Sequence, residues 1–321
     1  MASDTLRTPL LYHPGFLKHD AGDRHPERPE RIEAILSAIR LRWGDVPLLQ
    51  PQPAPLEAVY AVHEPAYVRA IAEMVRLGGG MWDYDTVLSR GSYDAALLAA
   101  GAACGAVDRV SAGDGQQGAG AFALCRPPGH HASSDTAMGF CLFNNAAIAA
   151  RHAQRAHGLG RVLIVDWDVH HGNGTQDIFY RDGTVAYFST HEWPFYPGTG
   201  ARSERGAGPG EGLTCNVPLP AGTGDDGYRA AFDDLLPAFA RGFEPELILV
   251  SAGYDAHYSD PLGQMAVTTG GFAMLTGIVC GLADELCGGR LAFVLEGGYD
   301  LDALGAGVVA TLERLNDGGT Q

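Results

Sequence analysis

The sequence predicts a three-layer α/β/α domain, and three observations predict it. Runs such as VLIV (162–165) and LILV (247–250) are apolar at every position rather than at alternate ones. A strand buried on both faces reads that way, and its covering layers are helices. Longer stretches between these runs carry helical spacing. Finally, the apolar runs end in clusters of His, Asp and Tyr. That is the carboxyl edge at which open parallel sheets bind ligands.

Taken in order, TPLLY (8–12) is a strand. In PERIEAILSAIR (29–40), Ile32, Ile35, Leu36 and Ile39 share one helical face. EPAYVRAIAEMVRLGGG (64–80) starts a helix near Pro65 and stops it in glycines. SYDAALLAAGAACGAVDRV (92–110) is an alanine-rich helix and AFALC (121–125) a strand. NNAAIAARHAQRAHG (144–158) is a helix with asparagine at its start and glycine at its end. RVLIVDW (161–167), VAYFST (185–190) and LTCNVPL (213–219) are strands, and a helix follows over 225–241. ELILVSAG (246–253) and LAFVLEGG (291–298) are strands, each with a helix after it.

The 321 residues contain no Ser/Gly tract, long charge run or repeat, so 1–321 are expected to form a single domain. A formal charge of −16 offers no basic patch for nucleic acid. It suits cationic substrates such as lysine side chains or polyamines. The cysteines at 104, 125, 141, 215, 280 and 287 are scattered, with no CxxC, and read as reduced thiols. The first residues, MASDTLRTPLLYHPG, lack a basic segment followed by an apolar one, and no run of transmembrane length is expected. These features predict a cytoplasmic protein without a membrane or nucleic-acid partner. A homo-oligomer is compatible with them.

Five runs end in chemistry. AFALC runs into RPPGHH, RVLIV into DWDVHHGNG, VAYFS into THEWPFYPGTG, LILV into SAGYDAH and AFVL into EGGYD. Residues two apart in an extended or tightly turned segment point the same way, so Asp168 and His170 can grip one ion. Asp255 is the best-placed third ligand. Two aspartates and a histidine form a harder donor set than a thiolate site, and three ligands leave a position for water. The same aspartates would equally cap the helices that follow. Asp166 could orient a histidine or join backbone carbonyls around a hard monovalent cation, and His171 could pack beside the ligands.

His130 and His131 follow a rigid Pro-Pro-Gly turn. Adjacent imidazolium ions repel, so at least one stays neutral near neutral pH. A neutral imidazole can take a proton from water and later return it to a leaving amine. The glycines before Tyr299 let the backbone bend close to the site, where the phenol could bond an oxyanion or simply pack.

These stretches, together with HPERPERI (25–32), RPPGHHA (126–132), MGFCLFNN (138–145), DWDVHHGNGTQ (166–176) and FYPGTG (195–200), carry a family resemblance. Over nearly its whole length the chain resembles the histone deacetylase superfamily of zinc-dependent deacetylases. HHGNGTQ and EGGYD look most like the class II branch and its bacterial relatives.

The resemblance implies an arginase-like α/β fold on a mainly parallel eight-stranded sheet. It implies one catalytic Zn²⁺ on Asp168, His170 and Asp255. His130 and His131 become a general base and acid pair, in an order left open, and Tyr299 polarises the carbonyl. One or two structural K⁺ ions are implied. The first uses Asp166, Ser189 and Thr190 with carbonyls of Asp168 and His170; the second uses Phe179, Asp182, Val185 and Leu213. Gly139, Phe140, Tyr196, Leu262 and Gly298 would line the acyl tunnel, with Asp85 at its rim. Whether the loops 81–90 and 200–212 meet substrate is left open.

Three positions modify that picture. Asn173 stands where some branches have aspartate, so it would accept from His131 without adding charge. Tyr196 replaces the usual tunnel phenylalanine. Leu262 replaces the glutamate of polyamine-selective relatives, which argues for acyl-lysine. The expected activity is removal of acetyl or other short acyl groups from lysine side chains of proteins or peptides. The alternative is an acetylpolyamine or other small-amide deacetylase. An arginase-type ureohydrolase would need two manganese ions and more bridging carboxylates than these motifs offer. A catalytically inactive acyl-lysine binding protein would not need every catalytic position filled.

Overall fold

The computed structural model describes residues 5–112 and 120–317. Ten strands occur among them: β1 (Leu10–Leu11), β2 (Leu48–Leu49), β3 (Gly80–Met81), β4 (Val87–Leu88), β5 (Ala121–Ala123), β6 (Val162–Asp166), β7 (Val185–Glu192), β8 (Thr214–Leu219), β9 (Leu247–Ala252) and β10 (Leu291–Leu295). Eight of these form one sheet in the order β2-β1-β5-β10-β9-β6-β7-β8. All of its pairings are parallel. β3 and β4 make a separate antiparallel hairpin.

Every residue of β6, β9 and β10 is buried, which is why their sequences are apolar without alternation. The main helices are α1 (Glu30–Trp43), α2 (Leu56–Val59), α3 (Pro65–Arg76), α4 (Ser92–Ser111), α5 (Asn145–His157), α6 (Asn173–Phe179), α7 (Asp225–Ala230), α8 (Leu236–Phe243), α9 (Thr269–Cys287) and α10 (Leu301–Asn316). α5 leads from β5 to β6, while α9 leads from β9 back to β10. Right-handed crossovers running in opposite directions along a sheet put their helices on opposite faces. α4 accordingly packs with α5, and α1 and α9 pack with α10.

Several boundaries differ from the sequence expectation. TPLLY shortens to β1 and AFALC to β5, because a strand ends where its neighbour's pairing ends. β2 and the hairpin carry too few residues to show a period. The helix expected over 225–241 is three pieces: a wide π turn, Ala231–Leu235, joins α7 to α8. Pro237, in the first turn of α8, has no N–H to continue the α ladder. The caps of α5 are as expected. Asn144 accepts from Ala147 N at 2.9 Å, and Gly158 is left-handed.

The expectation that no run reaches membrane-spanning length is corrected by α9. By length and composition alone it is long and apolar enough, at 19 residues and a mean hydropathy of 1.3. Half of it is buried, and it packs on β9 and α10, as a core helix does. All six cysteines are free.

Candidate active site

β6 and β9 are neighbours in the sheet, with Asp166 in register with Ser251. Their carboxyl ends therefore bring Asp168, His170 and Asp255 together. His170 Nδ1 lies 3.1 Å from Asp168 Oδ1 and 3.3 Å from Asp255 Oδ2. The backbone fixes the remaining carboxylate oxygens. Gly297 N donates to Asp168 Oδ2 at 2.8 Å, and Val169 N to Asp255 Oδ1 at 2.8 Å. Neither aspartate caps a helix: the N-cap of α6 is Gly172, and Asp255 is followed by loop.

Three observations fit a divalent ion here. Asp255 Oδ2 is buried without a hydrogen-bond partner. Burial and the neighbouring Asp168 push the Asp255 carboxyl up to about 7, so the two carboxylates need a cation to ionise together. Glycine also makes the cradle. A Cβ on Gly297 would fall 2.0 Å from Asp255 Oδ2, and one on Gly253 2.1 Å from Asp168 Oδ2.

His130 and His131 lie beside this group, their ring centres 4.0 Å apart and their planes tilted by 45°. His130 Nδ1 lies 3.1 Å from Asp166 Oδ2, and its Nε2 lies 3.8 Å from Asp168 Oδ1. Burial opposes its charge, yet Asp168 and Asp166 outweigh burial and hold the imidazole well above its usual range. Burial, then the charges of His130 and His170, push His131 well below it. His131 Nδ1 faces Asn173 Oδ1 at 2.8 Å. The adjacent histidines thus differ because carboxylates hold the proton on His130, while burial and the neighbouring imidazole charges keep it off His131.

Tyr299 approaches from the loop after β10. Its backbone N–H donates to Asp260 Oδ2 at 2.6 Å, and its ring stands 5.8 Å from Phe140. Burial raises its phenol well above the ordinary value, so it keeps its proton. A cavity of about 200 Å³ leads to these groups, lined by Asp85, His131, Gly139, Phe140, His170, Phe195, Tyr196, Leu262 and Tyr299.

Most of the expected lining is therefore present, with one correction. Gly298 is not among the lining residues, and its carbonyl accepts from Arg31 Nε at 2.7 Å. Asp85 answers for the loop 81–90, whereas no residue of 200–212 lines the cavity. His171 sits behind the ligands, bonded to Thr199 at 2.8 Å and Gln176 at 3.1 Å.

Asp166 accepts from Asp168 N at 3.1 Å and from the Tyr187 hydroxyl at 2.9 Å, and pairs in register with Ser189. Alternation along β7 puts the Ser189 and Thr190 hydroxyls on opposite faces. Toward an ion beside Asp166, Thr190 can therefore offer only its carbonyl, while its own buried hydroxyl has no partner. Phe179, Asp182, Val185 and Leu213 surround the turn between α6 and β7. The Phe179 carbonyl accepts from Asp182 N at 2.9 Å, and the Leu213 carbonyl from Tyr187 N at 2.8 Å.

Sequence reasoning missed the supports beneath the site. Buried Arg31 lies 4.9 Å over the Tyr299 ring and pairs with Glu27 at 3.1 Å. Glu27 also binds Arg126 at 2.7 Å and His19 at 3.2 Å. Glu296 accepts from the backbone of Gly129 at 2.7 Å and of His130 at 3.1 Å. Phe195 stacks on His170 at 5.5 Å. The signal for Glu27 and Arg31 lay in the i, i+4 spacing of HPERPERI, which reads equally as a solvated helix start.

Comparison with known proteins supplies relatives for this arrangement. The histone deacetylase domain pattern matches residues 25–315. The chain is 43% identical over 299 residues to a "probable deacetylase" of Archaeoglobus fulgidus, covering 92% of this chain and 82% of that one. It is 42% identical over 330 residues to the Homo sapiens "Polyamine deacetylase HDAC10", covering 97% of this chain and 48% of that protein. The crystal structure of the HDA15 HD domain superposes with a TM-score of 0.89 at 39% identity, covering 96% of this chain and 90% of that one.

Proposed function

This chain belongs to the histone deacetylase family, and we propose that it is a zinc-dependent amidohydrolase that removes a short acyl group from the side-chain nitrogen of lysine. The observation that carries the zinc assignment is the partnerless buried oxygen of Asp255 beside Asp168 and His170. A zinc ion held by those three residues supplies a Lewis acid and lowers the pKa of water.

The chain's own groups account for the proton movements. Asn173 Oδ1 only accepts, so His131 Nδ1 keeps its hydrogen and Nε2 offers the lone pair. His131 Nε2 takes the proton of the attacking water and later delivers it to the departing amine. His130, held protonated by Asp168 and Asp166, has no lone pair to spare and contributes positive charge instead. The Tyr299 hydroxyl donates to the acyl oxygen as negative charge develops there. Phe140, Phe195 and Tyr196 give the narrow cavity aromatic walls suited to an alkyl chain.

The same reading gives a structural potassium ion to Asp166, Ser189 and the carbonyls of Asp168, His170 and Thr190, an all-oxygen donor set. Neutral Leu262 in the lining favours acyl-lysine over a polyamine. The second reading, an acetylated polyamine, is favoured by the name of the human relative and by the chain's charge of −16.

The test is a substrate panel on zinc-loaded protein: acetyl-lysine peptide, longer acyl-lysine peptides and acetylspermidine. Hydrolysis of acetyl-lysine peptide should vanish on chelation, return with Zn²⁺ and be absent in Asp255→Asn. Chelated protein with undiminished turnover would end the zinc assignment. Preference for acetylspermidine would replace the substrate.

A further inference from the structure

Far from the tunnel in chain order, the ends of α4 and α5 gather another set of metal-binding side chains. Asp108 Oδ1 lies 2.6 Å from His152 Nε2 and 2.7 Å from His157 Nε2. The two imidazole rings stand 5.6 Å apart, their planes at 81°. One ligand atom from each residue lies within 4.8 Å of the others. Their helices pack against each other through buried alanines, so the three side chains stand on a fixed base. Gly158 ends α5 immediately after His157.

Two imidazole nitrogens aimed at one carboxylate oxygen are the donors of an open zinc site. The histidine side chains are about one quarter exposed and Asp108 about half, which leaves a fourth position toward water. Asp108 and His152 also line an open groove of about 490 Å³, which leaves them accessible to a hydrated ion. Ligands about 2.0–2.1 Å from a tetrahedral zinc stand roughly 3.3 Å apart. The carboxylate therefore has to withdraw by about 0.6 Å, a small rotation for an exposed side chain.

We propose that Asp108, His152 and His157 form a second metal site, for a borderline divalent cation of the zinc class, that clamps α4 to α5. It is independent of the tunnel reading, since no residue is shared. An ion bound only by the folded chain stabilises that chain by mass action.

The test loads full-length protein with Co²⁺ or Zn²⁺ and measures bound metal per chain at equilibrium, together with amide hydrolysis and Tm. Wild type should bind two equivalents. Asp108→Asn, His152→Gln and His157→Gln should each bind one, lose the visible cobalt absorption of the second, and retain full hydrolytic activity. In Asp255→Asn the second-site equivalent should remain while activity goes. Excess Zn²⁺ should raise the Tm of wild type above that of His152→Gln. Metal binding in wild type and in Asp255→Asn that does not fall in any of the three surface variants, or no bound metal at all in Asp255→Asn, would overturn the proposal.

Discussion

The ring nitrogen Nδ1 of His131 stands 2.8 Å from the amide oxygen of Asn173. The amide orients the imidazole without charging it. Asn173→Asp should stabilise the imidazolium and raise the His131 pKa. If neutral His131 is the base, the rise of kcat/KM with pH then shifts to higher pH, with little change on the plateau. A pH–rate profile that does not move would remove His131 from that role.

Tyr299 is held by Asp260 through its backbone and by Phe140 and Arg31 around its ring, so losing the hydroxyl should leave its position intact. Tyr299→Phe should lower kcat by roughly 10²–10³, the usual effect of losing one oxyanion donor, with unchanged Tm. Full turnover in this variant would exclude the phenol from the chemistry.

A methyl group at Gly297 would meet Asp255 Oδ2 at 2.0 Å and Asp168 Oδ2 at 2.6 Å. Gly297→Ala should therefore lower the zinc content and abolish hydrolysis. Metal analysis of purified protein checks this, and an alanine variant with full zinc occupancy would contradict the cradle.

Glu27 is fully buried among Arg31, Arg126 and His19. Burial opposes its charge, but Arg126 and His19 outweigh burial and hold its carboxyl well below the usual range. Glu27→Gln strands buried positive charge and should cost about 3–5 kcal/mol, read as a fall in denaturant midpoint. Because the folded pKa is depressed, the stabilising contribution is complete above the unfolded pKa and fades as pH falls toward the folded one. Acidification below about pH 4.3 should thus narrow the gap between wild type and variant, and a constant gap would argue against the assignment.

How much of this was legible in the sequence depends on where each side chain's partners lie. β6, β9 and β10 were readable because burial on both faces leaves continuous apolar runs. Asp168, His170, Asp255, His130, His131 and Tyr299 were found from one rule about the carboxyl edge of parallel sheets, and the fold brings them together. Glu27 and Arg31 were not assigned, since a charged pair at helical spacing has the same pattern in water as in a core. Gly298 enters the tunnel set only through the family resemblance, and nothing in its own sequence context marks a wall position. Its φ of 121° turns the chain at that point, and its carbonyl bonds Arg31. Pro237 stands inside the helical spacing of 225–241, and its missing N–H is local chemistry that apolar periodicity does not reveal.

The strand order has a temporal consequence. Asp168 follows β6, Asp255 follows β9, and the amide of Gly297 that fixes Asp168 follows β10, which comes after all the other strands among the described residues and is an inner one in the sheet. A growing polypeptide therefore meets metal with its ligands still unassembled, and only release of the closing strand completes the cage. If the proposed zinc is bound there, loading would follow synthesis of β10, and a product truncated before β10 should hold less metal, which metal analysis checks.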